Sequence, residues 1–178
     1  LKKYSNISFM KLSIDKFSSQ TKFSSDTLAF CQSKNDSKSA KSLVAQLDKK
    51  FGSIISEFVK INSFDFELGE SLVIPLSKQN KVSAAFKSVK RIILVGLGSE
   101  DADTSKLRKA YAALIRQAKA QKAQKLAIWE ATDSALAAET SVLINYEFTK
   151  YKKPSEKPKQ ELGEVKFFDS KTNSSFLN

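Results

Sequence analysis

The chain has 178 residues, enough for one domain with a core of its own, and its composition excludes several classes of protein. It contains no histidine, which excludes histidine-dependent Ser or Cys triads and histidine-ligated zinc, and the single Cys31 excludes an internal disulfide. The formal net charge of +11 is compatible with an acidic partner such as nucleic acid, but a Lys-rich surface that only confers solubility is the preferred interpretation, because the sequence has no pronounced block of Lys and Arg.

A cytoplasmic location is expected from three features. No segment reaches the length of a membrane span, and the first residues, LKKYSNISFMKL, lack the apolar core of a signal peptide. A lone cysteine, placed in the apolar stretch TLAFCQ, suits a reducing compartment and predicts a buried structural thiol. Met10 is positioned like a natural start residue, so residues 1–10 are predicted to be a disordered N-terminal extension.

The first half of the chain predicts strands, then helices, then further strand. Alternating residues predict strands at 11–17 and 27–32. Helical spacing predicts a helix over 39–52, capped by Asp36 or Ser37 and ended by Gly52, followed by a short helix over 53–61. The segment FDFELGESLVIPL predicts one strand or a strand pair ending near Pro75.

The second half predicts an alternation of strands and helices. RIILVGLG, at 91–98, and KLAIW, at 125–129, read as strands, the first buried on both faces, and VKFFDS as a last strand. A helix over about 104–122 places Leu107, Tyr111, Leu114 and Ala118 on a buried stripe and Lys106, Lys109, Arg116 and Lys119 on the opposite arc. The predicted fold is a three-layer α/β domain with a mixed central sheet flanked by helices.

The last predicted helix, 133–153, is capped by Thr132 or Asp133 and is apolar on more than one side. Its broad face comprises Leu136, Leu143, Ile144, Phe148 and Tyr151, while Val142 and Tyr146 lie off that face. Such a helix packs against more than its own sheet. An N-terminal strand or tail, a second domain and a subunit remain open as the covering element.

The turn Gly96–Leu97–Gly98 raises the question of phosphate binding. A dinucleotide fingerprint needs a third glycine where Asp101 stands, and Glu100, Asp101 and Asp103 would repel a phosphate at the helix start. We therefore interpret Gly96 and Gly98 as a structural turn, with Asp103 or Thr104 capping the helix.

The residues nominate no catalytic, metal-binding or cofactor-binding group, because the acids of the predicted turns lack the spacing of a metal site. Candidates for nucleic-acid contact are Lys106, Lys109, Arg116 and Lys119 on one helix and Lys150, Lys152 and Lys153 beside Tyr146, Phe148 and Tyr151. The alternative is that these rings pack inward while the lysines extend to solvent.

Two spaced motifs resemble the N-terminal domain of the leucyl aminopeptidase family of cytosolic metallopeptidases. One is RIILVGLG followed by an acidic loop and a Lys/Arg/Ala-rich helix, and the other is YEFTKYKK at 146–153; the strand ESLVIPL is similar too. The resemblance runs from about Lys11 to Ser170 and is weakest in the segments 77–88 and 154–164.

The resemblance implies a macro-domain-like N-terminal domain over 11–170, with 171–178 as a linker toward a C-terminal catalytic domain. That domain would hold two divalent metal ions, zinc or manganese, and its Asn-Thr-Asp-Ala-Glu-Gly-Arg type of stretch does not occur in this chain. It also implies a non-catalytic role here, no cofactor in this part, a homo-hexamer in the full-length protein, DNA binding as in some members, and no membrane. A macro-type pocket for an ADP-ribose-like ligand at Gly96–Gly98 is a third hypothesis.

Overall fold

The computed structural model describes residues 10–15, 23–77, 82–99, 101, 103–146 and 162–168, which form the predicted three-layer α/β domain. The strands are β1 (Lys11–Asp15), β2 (Thr27–Gln32), β3 (Ser71–Pro75), β4 (Arg91–Gly96), β5 (Lys125–Trp129) and β6 (Glu164–Phe168). The helices are α1 (Leu43–Phe51), α2 (Ile54–Ile61), α3 (Thr104–Ala120) and α4 (Ser134–Asn145), with a 3₁₀ turn at Ala84–Phe86.

The sheet is mixed, as predicted, with the strand order β1-β6-β5-β2-β4-β3. All neighbouring strands are parallel except β3, which runs antiparallel to β4. β4 is buried from Ile92 to Gly96, because helices cover both faces of the central strands. The parallel strands therefore begin along one edge of the sheet, here named the amino edge, and end along the opposite carboxyl edge.

Two hydrophobic cores lie on the two faces of the sheet. On one face, α1 and α2 cover a core rich in aromatic rings, which include Phe23, Phe86 and Trp129. On the other face, α3 and α4 pack against the sheet, and the predicted stripe of Leu107, Tyr111, Leu114 and Ala118 is buried there. The helical period of the sequence thus predicted the docking face of α3.

The helix ends follow local capping chemistry. The carboxylates of Asp103 and Asp133 accept hydrogen bonds from the amides of Lys106 (2.8 Å) and Leu136 (2.9 Å), which confirms both as caps. α1 ends at Gly52 as predicted, in the left-handed conformation with φ 67°. Its predicted cap was wrong: residues 36–42 form successive turns, and Ser42 caps the helix instead.

Asp48, a buried residue near the end of α1, caps the next helix. Its carboxylate accepts hydrogen bonds from the amides of Ile55 (2.8 Å) and Ser56 (3.1 Å) and from the Ser56 hydroxyl. We expect Asp48→Ala to lower the free energy of unfolding by about 1–2 kcal/mol, because two amides at the start of α2 lose their acceptor. Urea denaturation measures the change, and Asp36→Ala, at an exposed aspartate, should cost under about 0.5 kcal/mol.

The structure decides one open alternative and corrects one boundary. In the segment 64–76 only Ser71–Pro75 is a strand, which confirms the single-strand alternative, and residues 64–68 form a loop. α4 ends at Asn145, because Tyr146 has extended backbone, and Leu143 is exposed instead of facing the core. The remainder of the predicted helix, 147–153, lies outside the described residues. No helix in the described ranges is long and apolar enough to cross a membrane.

Candidate functional site

The Gly96–Gly98 turn lies at the carboxyl edge, where open α/β sheets usually bind ligands. Here the loop Phe64–Glu70 passes directly over the turn. A Cβ atom built on Gly96 would overlap the backbone of Phe66 and Glu67, and Gly98 has a positive φ of +80° that favours glycine. Both glycines are therefore required by the close approach of a neighbouring loop and by the backbone conformation of the turn.

The amides of the turn already donate hydrogen bonds within the protein. The Gly96 amide donates to the carbonyl of Glu70 (2.9 Å), the Leu97 amide to Gln32 (3.0 Å) and the Gly98 amide to Phe66 (3.0 Å). A phosphate-binding turn needs such amides to point at the ligand. The turn consequently joins the strand to its neighbouring loops, and its geometry does not fit a phosphate.

Side-chain ion pairs and a hydrogen bond also cover the carboxyl edge. The Lys34 ammonium contacts Asp65 (Oδ2, 2.5 Å) and Glu67 (Oε1, 2.8 Å), and the hydrogen bonds to these two carboxylates raise the pKa of Lys34 above its usual range. The Asn35 amide donates to the Ser99 carbonyl. A shallow crevice of about 500 Å³ remains beside Lys34. No local pattern signals these pairs, because their partners are 31 to 64 residues apart in the sequence.

The structure separates the basic residues predicted on α3. Lys109 and Arg116 are exposed, whereas Lys106 and Lys119 are half-buried on opposite flanks of the helix. The Lys106 ammonium lies 3.5 Å from the Asp101 carbonyl, and that of Lys119 donates to the carbonyls of Ile144 and Asn145, both at 3.3 Å. Lys119 therefore stabilises the C-terminal end of α4. The other candidates, Lys150, Lys152 and Lys153, lie outside the described residues.

Two titratable groups lie between the sheet and α3. Cys31 is partly buried and packs against the core beneath α3, where desolvation raises the pKa of its thiol to about 12. Burial also raises the pKa of Tyr111, whose hydroxyl accepts a hydrogen bond from the Asp133 amide (3.2 Å) and so ties α3 to the start of α4. Both groups are consequently neutral at physiological pH.

The raised pKa of Cys31 predicts slow alkylation of the native protein. The thiolate is the reactive form, and the unfolded chain ionises near the ordinary thiol pKa while the folded chain does not ionise until about pH 12. We expect iodoacetamide at pH 8 to label the native protein at least about tenfold more slowly than the protein in urea, as measured by mass spectrometry. Equal rates would contradict the desolvation of this thiol in the folded protein.

A side-chain contact with the backbone also fixes the C-terminal end of α4. The buried Asn145 side chain donates to the carbonyl of Leu162 (3.1 Å) and accepts from its amide (3.1 Å), which places the start of β6 against the helix.

In the described part of the chain, no group of three or more Asp, Glu, Cys or His side chains is placed to hold a metal ion.

The fold and this edge define a macro-like α/β domain whose usual ligand edge is filled by its own loop. The model of the N-terminal domain of the cytosol aminopeptidase family matches residues 28–155, and the chain belongs to this family. No curated protein matches the sequence.

Solved structures with the same fold include an aminopeptidase and two macrodomains. A mutant of tomato leucine aminopeptidase superposes with a TM-score of 0.72 and 21% identity, over 96% of this chain and 34% of that one. This chain thus spans about a third of the tomato enzyme. The macrodomains of DarG from Thermus aquaticus and Mycobacterium tuberculosis have TM-scores of 0.62, with 8% and 10% identity. They cover 90% and 91% of this chain and 99% and 100% of their own.

Proposed function

We propose that this chain is the non-catalytic N-terminal domain of a leucyl aminopeptidase. The full-length protein would remove N-terminal, leucine-type residues from peptides with two divalent metal ions, zinc or manganese, in a C-terminal catalytic domain. The family match over residues 28–155 carries the proposal. The residues of this chain contribute no metal ligand to that site and act through the fold.

The closed carboxyl edge supports a structural role. The loop Phe64–Glu70 accepts the hydrogen bonds that a bound phosphate would otherwise receive, and Lys34 pairs with Asp65 and Glu67 above it. An ADP-ribose-like ligand at Gly96–Gly98 would have to displace this loop. Calorimetry with ADP-ribose should accordingly give no heat of binding, and measurable heat would restore the pocket hypothesis.

A peptidase assay tests the proposal directly. The purified 178-residue chain should not hydrolyse leucine p-nitroanilide with added manganese or zinc. Hydrolysis by this chain would overturn the non-catalytic role. Reading the gene beyond the codon for Asn178 is the complementary test, since a frame that continues into a domain with the Asn-Thr-Asp-Ala-Glu-Gly-Arg type of motif supports the aminopeptidase assignment.

The same family assignment extends to domain boundaries, assembly and location. We place the domain at 11–170, with 171–178 leading toward the catalytic domain. The full-length protein would form a homo-hexamer through its catalytic domains, with this domain at the periphery, where it helps to shape assembly or access to the active site. Size-exclusion chromatography with light scattering on the full-length protein tests the hexamer. We also propose a cytoplasmic location, which the description of the family as cytosol aminopeptidases supports.

Nucleic-acid binding is the second candidate function, favoured by the net charge of +11. Of the residues proposed on α3, Lys109 and Arg116 are exposed to a partner, while the Lys119 ammonium bonds to carbonyls of α4. Lys106, Lys150, Lys152 and Lys153 stay proposed contacts. A duplex that fails to shift with the protein in a low-salt gel would remove this function.

A further inference from the structure

An exposed apolar patch lies at the C-terminal end of α4. The side chains of Val142, Leu143 and Tyr146 are 49%, 61% and 69% exposed, and they are named here the α4 patch. Among the described residues, the other large hydrophobic side chain with such exposure is Ile61, on α2. Single apolar residues at a protein surface are ordinary, whereas a group of them at one helix end indicates a contact surface.

One side of α3 lies next to this patch. Arg108, Ala112 and Arg116 repeat every four residues, so they share one side of the helix. The Arg108 guanidinium is 3.3 Å from the Glu139 carboxylate of α4, and the Lys119 ammonium is 3.3 Å from carbonyls in the last turn of α4. This side of α3 therefore follows α4 along its length. Because Ala112 is small and buried, the surface between the two helices forms a shallow depression, named here the α3–α4 groove.

The charge of the α3–α4 groove is positive. α3 carries five cations and no acidic residue, while α4 carries one charged residue, Glu139, which already pairs with Arg108. Lys109 and Arg116 are exposed, and no acid of the described ranges lies within ion-pair distance of either. The groove thus combines an apolar centre with unneutralised cations. A complementary partner presents apolar side chains flanked by carboxylates.

Three other occupants fit the groove less well. A second copy of the chain would bring the cations of α3 against each other, with Glu139 as the only acid to offset them. A nucleic acid gains its affinity from phosphate contacts and would leave the apolar α4 patch unused. A membrane surface needs an apolar face along a whole helix, whereas the first half of α4 exposes Ala135 and Glu139.

We infer that the α3–α4 groove binds an acidic amphipathic helix of a partner protein. α4 has 12 residues and is about 18 Å long, which matches about three turns of a partner helix. The apolar stripe of that helix would contact Leu143 and Tyr146, and its carboxylates would reach Lys109 and Arg116, as in other complexes of a helix with a groove. The short groove places the contact among small, transient interfaces. The inference does not depend on the peptidase assignment.

Fluorescence anisotropy with a designed peptide tests the inference. The probe is a labelled, end-capped peptide of about 14 residues, with leucines along one helical stripe and glutamates on both flanks. We expect saturable binding at about 50 mM NaCl with a Kd below about 100 µM, weakened severalfold at about 200 mM. Peptides with lysine in place of glutamate, or with serine in place of leucine, should bind at least about tenfold more weakly. Absence of binding by the acidic peptide would overturn the inference.

Substitutions in the α4 patch test its apolar centre. The double variant Leu143→Ser and Tyr146→Ser should bind the acidic peptide at least about tenfold more weakly. Both positions are exposed, so the fold should persist, which urea denaturation verifies. Ile61→Ser, at an isoleucine of α2 that is 70% exposed, is the matched control and should change the affinity by less than about twofold. An equal loss in the control would contradict a site on α4.

A charge reversal tests the cations of α3. Lys109→Glu with Arg116→Glu should weaken binding of the acidic peptide at least about tenfold and strengthen binding of the lysine peptide. Lys38→Glu with Lys41→Glu makes the same change of charge at two exposed positions before α1 and should alter either affinity by less than about twofold. Equal effects of the two pairs would attribute binding to net charge and overturn the inference.

The same variants identify any other occupant of the groove. A dimer in light scattering that Leu143→Ser dissociates would overturn the inference in favour of a second copy of the chain. Sedimentation with phosphatidylserine vesicles that Leu143→Ser abolishes would assign the groove to an anionic membrane surface instead. A DNA duplex that binds more tightly than the acidic peptide, and loses affinity in Lys109→Glu with Arg116→Glu, would assign the groove to nucleic acid.

Discussion

Replacing Gly96 with alanine is expected to lower the free energy of unfolding by about 3 kcal/mol or more. The new Cβ atom would overlap the backbone of Phe66 and Glu67, and backbone cannot rotate away as a side chain does. Relief requires the loop Phe64–Glu70 to move, which would break the hydrogen bonds from Gly98 to Phe66 (3.0 Å) and from Gly96 to Glu70 (2.9 Å). Urea denaturation followed by the fluorescence of Trp129, the only tryptophan, measures the loss.

Gly163 provides the matched control. An alanine Cβ there meets its nearest neighbour, the Gln124 carbonyl oxygen, at 3.5 Å, an ordinary contact. Gly163→Ala should therefore be neutral or stabilise the domain by up to about 1 kcal/mol. If both variants lost the same stability, the overlap at Gly96 would not be the cause, and the loop would not be held against the turn as described.

Features set by neighbouring residues were predictable from the sequence. A cap such as Asp103 acts on an amide three residues later, and the stripe from Leu107 to Ala118 repeats within one helix. The continuous apolar run of β4 likewise indicated a central strand. These local patterns were sufficient to predict the fold class, because the hydrophobic period of each helix or strand defines the face that it buries.

The loop over the Gly96–Gly98 turn was not predictable in this way. Phe64, Phe66 and Leu68 alternate with acids like the residues of a strand. In the structure, Phe66 has a left-handed φ of 59°, which is unusual for a bulky residue, and its ring is buried against Phe64. The loop's partners lie about 30 residues away in sequence, at Gly96 and Gly98. Tertiary contacts of this kind override the local pattern.

The basic residues predicted on α3 show the same limit of local sequence patterns. Helical periodicity places Lys106, Lys109, Arg116 and Lys119 on one arc of α3. It contains no information on the neighbouring helices that pack beside this arc. The structure shows Lys119 bonded to carbonyls of α4. Conversely, Asp26, Lys90 and Lys125 are far apart in sequence, and backbone hydrogen bonds join them because their strands begin at one edge of the sheet. Strand order is not readable from local patterns, so these contacts were not predictable from the sequence.

Replacing Phe86 with alanine is expected to lower the free energy of unfolding by about 3–5 kcal/mol. The Phe86 ring is 1% exposed and stacks on Phe23, with centroids 4.4 Å apart and planes 21° apart. It also contacts Phe51 (4.9 Å) and Trp129 (6.0 Å). Alanine would leave a cavity among rings that cannot collapse without moving α1 or β5. Urea denaturation at 25 °C measures the loss.

Phe58→Ala separates the loss of a central ring from the loss of any phenylalanine. Phe58 packs against the same core but is half-buried, so its removal should cost only about 1–2 kcal/mol. Phe86→Leu, which keeps most of the volume, should recover at least about half of the loss in Phe86→Ala. A loss in Phe86→Ala no larger than that in Phe58→Ala would mean that the Phe23–Phe86 stack does not hold this face of the sheet, and the core would have to depend on the aliphatic side chains of β2 and β4 alone.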